Sequence, residues 1–104
     1  MAIKAISEFT LQPGQRDEFV RLFESLVAQH GESMRVAGCQ SATIYMALDD
    51  PDKAVEISEW ESAEARERMM QSEAMGAFAP LFDLMAAPHR STVIGELHER
   101  LDGC

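Results

Sequence analysis

The chain has 104 residues, a length that suits one domain whose core buries roughly two-thirds of the unfolded surface. Apolar residues make up 46% and charged residues 26%, a composition typical of globular proteins. Eighteen acidic residues against nine basic ones give a formal charge of −9, which disfavours binding to nucleic acids or anionic membranes. We therefore expect a single globular domain over residues 1–104.

The cysteines and the apolar runs indicate the cellular compartment. Cys39 and Cys104 alone are no framework for a disulfide-rich secreted scaffold. No stretch approaches the ~20 apolar residues of a membrane span, and the N-terminus lacks the apolar run of a signal peptide. We expect a cytoplasmic protein with no membrane partner.

The first half of the chain predicts a strand, a helix and a second strand. Residues 3–11 alternate in polarity and carry β-branched side chains, which favours a strand. From Gln15 to Val36, apolar residues recur at three- and four-residue steps, the pattern of an amphipathic helix, and Gly38 is a natural stop. Residues 39–48 predict the second strand.

The second half predicts a hairpin partner, a divided helix and a last strand. Residues 53–60 return as a strand after a turn rich in aspartate and proline. Ser62 is a suitable N-cap, and helical sequence follows it up to the last strand, residues 89–97. Gly76 and Pro80 should bend or divide this helix, because proline lacks the backbone donor.

The element order is β-α-β-β-α-β, which predicts an α+β, ferredoxin-like fold with helices on one face of an antiparallel sheet. The second strand carries apolar or small residues on both faces. One face has Ala42, Ile44, Met46 and Leu48, and the other has Cys39, Thr43, Tyr45 and Ala47. We expect a second copy to cover the side away from the helices, giving a homodimer.

Three segments, "PGQRDEF", "GCQSATIYMALDDPDKAVEISEWES" and "EARERMMQSEAM", resemble the antibiotic biosynthesis monooxygenase domain family of the dimeric α+β barrel superfamily. The hairpin is the most specific of them, and the similarity runs from about Ile3 to Leu97. The resemblance implies a homodimer whose two sheets form one barrel, with a pocket between sheet and helices in each subunit. Members of the family include cofactor-free oxygenases of phenols and hydroquinones, quinol monooxygenases, haem-degrading oxygenases and a sugar isomerase.

The sequence departs from these relatives at three places. Ala74 stands where many quinol-oxidising members carry histidine, and Ser58 stands where many members carry glutamate two residues before the tryptophan. No histidine occurs between Arg66 and Ala87, the region that supplies the axial ligand in haem-degrading members. The resemblance therefore favours neither haem degradation nor isomerase activity here.

Trp60, Tyr45 and His30 are the candidate site residues on the strands and the first helix. Trp60 shares a strand face with Glu56 and Ser58, so its indole either lines a pocket or fills the core. Tyr45, on the adjacent strand, either bonds a phenolic substrate or places its hydroxyl at the barrel rim. His30 lies on the apolar stripe of the first helix, as a catalytic base or as a structural histidine.

The predicted helical wall is rich in methionine and phenylalanine, which suits either a plain core or a cavity for a flat apolar ligand. The candidate ligand contacts are Trp60, Ser58, Phe23, Met69, Phe78 and Phe82. His89 and His98 fall on opposite faces of one strand, and the sequence contains no nucleotide-binding motif, so we expect neither a metal nor a cofactor.

The leading hypothesis is a cofactor-independent monooxygenase or related oxidoreductase that acts on a flat phenolic or quinol-like compound. The alternative is a non-catalytic dimeric protein of the same fold that binds a small aromatic ligand.

Overall fold

The fold was obtained as a computed structural model, which describes residues 2–95. Its four-stranded antiparallel sheet has the order β2-β3-β1-β4. The strands are β1 (Ile3–Thr10), β2 (Cys39–Met46), β3 (Lys53–Trp60) and β4 (Arg90–Ile94). The helices are α1 (Arg16–Val36), α2 (Ala63–Met70), a 3-10 helix (Glu73–Phe78) and α3 (Ala79–Phe82). This arrangement confirms the predicted ferredoxin-like α+β fold.

The first two helices form where the sequence places their apolar residues and caps. α1 buries Phe19, Phe23 and Leu26, which are three or four residues apart and so lie on one side of the helix. The side chain of Ser62 caps α2 by accepting a hydrogen bond from the backbone N–H of Ala65 at 3.0 Å. Between α1 and β2 the chain turns at Gly38, whose φ is +113°.

The helical region after α2 is shorter and more broken than predicted. A 3-10 helix occupies residues 73–78, and Pro80 lies in the first turn of α3, where a missing backbone N–H costs no hydrogen bond. The prediction of helix up to Pro88 is wrong beyond Phe82. There the chain runs back to the sheet, and Met85 forms an antiparallel bridge with Leu11. The last strand begins at Arg90, and residues 96 and 97 of its predicted span lie outside the described residues.

A β-bulge in β2 changes which face of the sheet Cys39 occupies. Simple alternation places Cys39 with Thr43 and Tyr45, on the side away from the helices. The register shifts between Cys39 and Ser41, so Cys39 pairs with Trp60 and is buried on the helix side. The predicted face assignment of Cys39 is therefore wrong, whereas Ala42 and Ile44 do face the helices, packed against the core.

Two clusters of buried side chains fill the space between sheet and helices. The larger one includes Phe9, Leu11, Phe19 and Phe23, and the smaller one consists of Ile3, Cys39, Trp60 and Met69. Met34 and Met75 pack against both clusters. Among residues 2–95, no helix is long and apolar enough to cross a membrane.

Candidate functional site

A cavity of about 100 Å³, the central cavity, lies between the sheet and the helices and is bordered by members of both core clusters. The helices and the segment after α3 contribute these apolar side chains: Phe23, Val27, Met34, Met70, Met75, Phe78, Leu81, Phe82 and Met85. The rest of the lining is Ser7, Phe9, Ala42, Glu56, Ser58, Trp60, Arg66, His89 and Ser91. The walls are thus mainly apolar, and most of the polar groups come from the sheet.

The polar groups of the sheet form a row across neighbouring strands. Ser7 of β1 lies opposite Glu56 of β3 and opposite Ser91 of β4. The hydroxyls of Ser7 and Ser91 are 2.9 Å apart and hydrogen-bonded to each other. Ser58 lies two residues beyond Glu56 on the same strand face. A ligand in the central cavity would therefore have apolar side chains above it and a row of oxygens below.

Trp60 is both a core residue and part of the cavity wall. It is 2% exposed and packs in the smaller cluster. Its indole N–H donates to the Ser58 hydroxyl oxygen at 2.9 Å. The Ser58 hydroxyl hydrogen has no acceptor among the described residues, although this side chain is 4% exposed. Ser58 therefore supplies a free O–H donor beside Glu56.

Glu56 carries the one carboxyl group of the cavity lining in the described part of the chain. Burial raises the pKa of this carboxyl above its ordinary value, because the apolar surroundings disfavour the charged form. The positive charge of Arg66 acts in the opposite direction and is the weaker influence on the pKa. Glu56 is therefore a carboxyl poised to hold or accept a proton in an apolar enclosure.

His89 and Phe82 mark an open side of the central cavity. Both are exposed, and their rings stack with centroids 5.3 Å apart and an interplanar angle of 24°. The His89 ring also lies near the ring of Phe9, at a centroid distance of 5.7 Å. Ser91 is also exposed, so the cavity communicates with solvent along β4.

The structure brings most of the predicted ligand contacts together. Trp60, Ser58, Phe23, Phe78 and Phe82 all line the central cavity. Met69 does not line it. Its side chain is instead buried in the smaller cluster, together with Ile3, Cys39 and Trp60.

The two predicted catalytic residues lie elsewhere. His30 is not part of the cavity lining and packs on the ring of Phe78, with centroids 6.0 Å apart. Tyr45 pairs with Val55 on the sheet face away from the helices and is 52% exposed. Period-two alternation separates Tyr45 from Ile44, which lies opposite Glu56 on the helix side. The geometry therefore supports neither residue as a group in contact with a ligand of this cavity.

Sequence reasoning gave no role to Glu56, Ser7, Ser91 or His89, all of which line the cavity. The alternation of β3 does place Glu56 beside Ser58 and Trp60, so this signal was available. Ser7 and Ser91 are 84 residues apart, and only the pairing of β1 with β4 joins them.

Neither metal nor thiol chemistry gains support from the described residues. No group of three or more histidine, cysteine, aspartate or glutamate side chains in this part of the chain is arranged to hold a metal ion. Burial, together with the negative charge of Glu56, raises the pKa of the Cys39 thiol. Cys39 is thus disfavoured as a thiolate nucleophile. His98 and Cys104 lie outside the described residues.

The fold and the site define an α+β ferredoxin-like protein with a mainly apolar cavity between sheet and helices, whose lining among the described residues includes one carboxyl group, that of Glu56. The family model for antibiotic biosynthesis monooxygenases matches residues 2–81. The chain belongs to this family.

Several solved structures share the fold. Rv0793 from Mycobacterium tuberculosis is 22% identical, with a TM-score of 0.74, covering 95% of this chain and 98% of the other. A variant of SnoaB, a cofactor-independent oxygenase from Streptomyces nogalater, is 18% identical, with a TM-score of 0.73 and coverage of 94% and 95%. PA3566 from Pseudomonas aeruginosa is 21% identical, with a TM-score of 0.71 and coverage of 93% and 95%. Among curated proteins, none matches the sequence significantly.

Proposed function

We propose that the protein is a cofactor-independent monooxygenase that oxidises a flat phenolic or quinol-like molecule in the central cavity. The observation that carries the proposal is the largely buried carboxyl of Glu56, which lines a mainly apolar cavity together with the Trp60 indole. Membership of the monooxygenase family and the fold shared with a cofactor-independent oxygenase support the reaction class.

Glu56 is the proposed proton acceptor. A carboxylate in an apolar site is a stronger base than one in water, because protonation removes a poorly solvated charge. It takes the proton of the substrate's O–H group, leaving a phenolate inside the cavity. The mainly apolar walls limit the number of waters that can solvate this anion, so that its electrons remain available to dioxygen.

Two donors beside Glu56 stabilise the phenolate. The Ser58 hydroxyl hydrogen is free of other partners among the described residues, because Trp60 occupies only the acceptor side of that hydroxyl. The guanidinium of Arg66 also lines the cavity and supplies a positive charge. Donors fixed in advance near a developing negative charge are an effective form of catalysis in an enclosed site.

The electrons for the reaction come from the substrate. For a hydroquinone, the net reaction replaces one ring C–H by C–OH and oxidises the ring to a hydroxyquinone. One atom of dioxygen enters the product and the other leaves as water, so no external reductant is consumed. The cavity volume of about 100 Å³ favours small rings, since an engineered cavity of ~150 Å³ holds benzene. Flexible methionines in the wall allow some enlargement.

The test is oxygen consumption by the purified protein with hydroquinone, in the presence of a metal chelator and without added cofactor. We expect uptake with formation of hydroxyquinone. The sole tryptophan gives a single indole N–H resonance that reports on cavity binding independently of turnover. A ligand-induced shift of this resonance with no oxygen uptake for any phenol or hydroquinone would refute the oxygenase and favour the non-catalytic binding protein.

We also propose that a second copy covers the sheet face away from the helices. Ile6 and Ile57 lie opposite each other at the centre of this face, and its exposed members include Tyr45 and Ile94. Charges of both signs flank the apolar centre, with Lys4 paired to Glu59 at 3.6 Å. A mixed rim around an apolar centre is compatible with a self-complementary two-fold interface.

Light scattering tests the dimer. We expect a dimer at micromolar concentration, weakened by Ile57→Lys because a lysine there would place a charge in the contact. Val36→Lys is the matched control, since Val36 is an 81% exposed valine outside this face. A wild-type protein that is a stable monomer would contradict the proposed interface.

A further inference from the structure

The hydroxyl pair of Ser7 and Ser91 is a second group of polar atoms in the central cavity, separate from the Glu56 carboxyl. The two oxygens are 2.9 Å apart and bridge β1 to β4. One hydroxyl donates to the other, so the acceptor of that bond keeps its own hydrogen, and both oxygens keep lone pairs. Ser7 is only 6% exposed, so its hydroxyl lies inside the cavity, and either hydroxyl of the pair can be the donor.

The spacing of this pair from Glu56 is fixed by the sheet. Ser7 lies directly opposite Glu56, so their side chains leave adjacent strands that are ~5 Å apart. A flat ring lying over this row reaches from one position to the other. Among the described residues, Arg66 is the one hydrogen-bonding side chain that the helices contribute to the cavity lining, and the other helical lining residues are apolar.

We infer that the site selects a ring with two oxygens at opposite ends, the hydroquinone class, over a ring with one oxygen. This inference rests on the proposed function, with one O–H of the ligand at Glu56. The second oxygen binds the Ser7–Ser91 pair, either by accepting the free hydroxyl hydrogen or by donating to a serine oxygen. The para oxygens of a single ring are separated by ~5 Å, similar to the spacing of the two strands that carry Ser7 and Glu56.

The selectivity is tested by binding under nitrogen, so that turnover does not interfere. The two probes are hydroquinone and 4-methylphenol, which differ only in whether a hydroxyl or a methyl group lies opposite the first hydroxyl. The chemical shift of the Trp60 indole N–H gives each dissociation constant. We expect hydroquinone to bind roughly three- to tenfold more tightly, the range that one net hydrogen bond supplies.

Ser7→Ala removes one hydroxyl of the pair and should abolish most of this preference, while the affinity for 4-methylphenol stays near wild type. Ser91→Ala, on the exposed edge strand where the fold tolerates change, should act in the same direction. Ser41→Ala is the matched control, because Ser41 lies opposite Glu59 on the other sheet face. It should preserve the wild-type ratio of affinities.

Two results would overturn the inference. Equal affinities of the wild type for both probes would show that the second oxygen gains no partner. An equal loss for both probes in Ser7→Ala would show that Ser7 only shapes the wall. Either result leaves the oxygenase proposal standing if oxygen uptake persists, whereas the absence of binding by both probes would overturn both proposals.

Discussion

Replacing Trp60 by phenylalanine should lower the stability of the fold by about 2 kcal/mol. The change removes the N–H that bonds to Ser58 at 2.9 Å, worth ~1 kcal/mol net. It also empties part of the space that the indole fills beside Ile3 and Met69 in the smaller cluster, at a cost of ~1 kcal/mol. Because Trp60 is 2% exposed, solvent does not fill that space freely.

Chemical denaturation followed by circular dichroism measures this loss, and a thermal melt should show a midpoint lower by about 10 °C. Val36→Ala is the control, since it also removes apolar volume but at an 81% exposed position outside the proposed dimer interface. It should change stability by less than ~0.5 kcal/mol. A Trp60→Phe protein as stable as the wild type would show that the indole is not a packed core residue.

Three further perturbations test separate parts of the structure. Glu56→Gln should stabilise the fold at neutral pH, because the folded wild type must keep a negative charge in apolar surroundings. In melts at lower pH, the stability difference between variant and wild type should shrink toward pH ~4.3, where the carboxyl is protonated in the unfolded chain as well. Gly38→Ala should lower the free energy of unfolding by ~1–3 kcal/mol, because φ is +113° and the new Cβ would lie 2.9 Å from the Cβ of Ala65. Urea melts should show no such loss for the control Gly76→Ala, where nothing lies within 4 Å of the new Cβ. His89→Ala should lower kcat/KM for hydroquinone by roughly three- to tenfold through lost ring contact, whereas His30→Ala should remain near wild type.

Each of these expectations has a contrary result. Destabilisation by Glu56→Gln at neutral pH would mean that the carboxylate is well solvated or paired. Equal effects of the two glycine changes would remove the steric argument at Gly38. If His89→Ala and His30→Ala changed kcat/KM equally, the position of His89 in the cavity lining would have no effect on the reaction.

The alternation of polar and apolar residues was sufficient to predict the strands and the two members of the polar row that lie on β3, Glu56 and Ser58. Alternation along residues 53–60 puts Glu56, Ser58 and Trp60 on one face, as the structure has them. The same rule failed at Cys39, because a bulge inserts one residue and reverses the face. A bulge leaves no mark in the polarity pattern of a single short strand.

The predicted catalytic residues lie outside the cavity for a different reason. His30 is on the apolar stripe of α1, but it packs against Phe78, which lines the cavity, and does not line the cavity itself. Which residue of a stripe reaches a cavity depends on how the later 3-10 helix packs, and sequence periodicity carries no such information. The Ser7–Ser91 pair likewise depends on the register of two strands at opposite ends of the chain.

The measurement that bears most directly on the proposed chemistry is kcat/KM for oxygen-dependent hydroquinone oxidation as a function of pH. The wild type should lose activity at low pH with an apparent pKa above the ordinary glutamate value, since burial raises the pKa of the Glu56 base. Glu56→Gln should lower kcat/KM by ~10²–10⁴-fold, the usual contribution of a general base. Glu59→Gln, three residues along the same strand and on the opposite face beside Lys4, should retain the wild-type rate and profile. Wild-type activity in Glu56→Gln would contradict the account, because the Glu56 carboxyl would then have no part in the reaction.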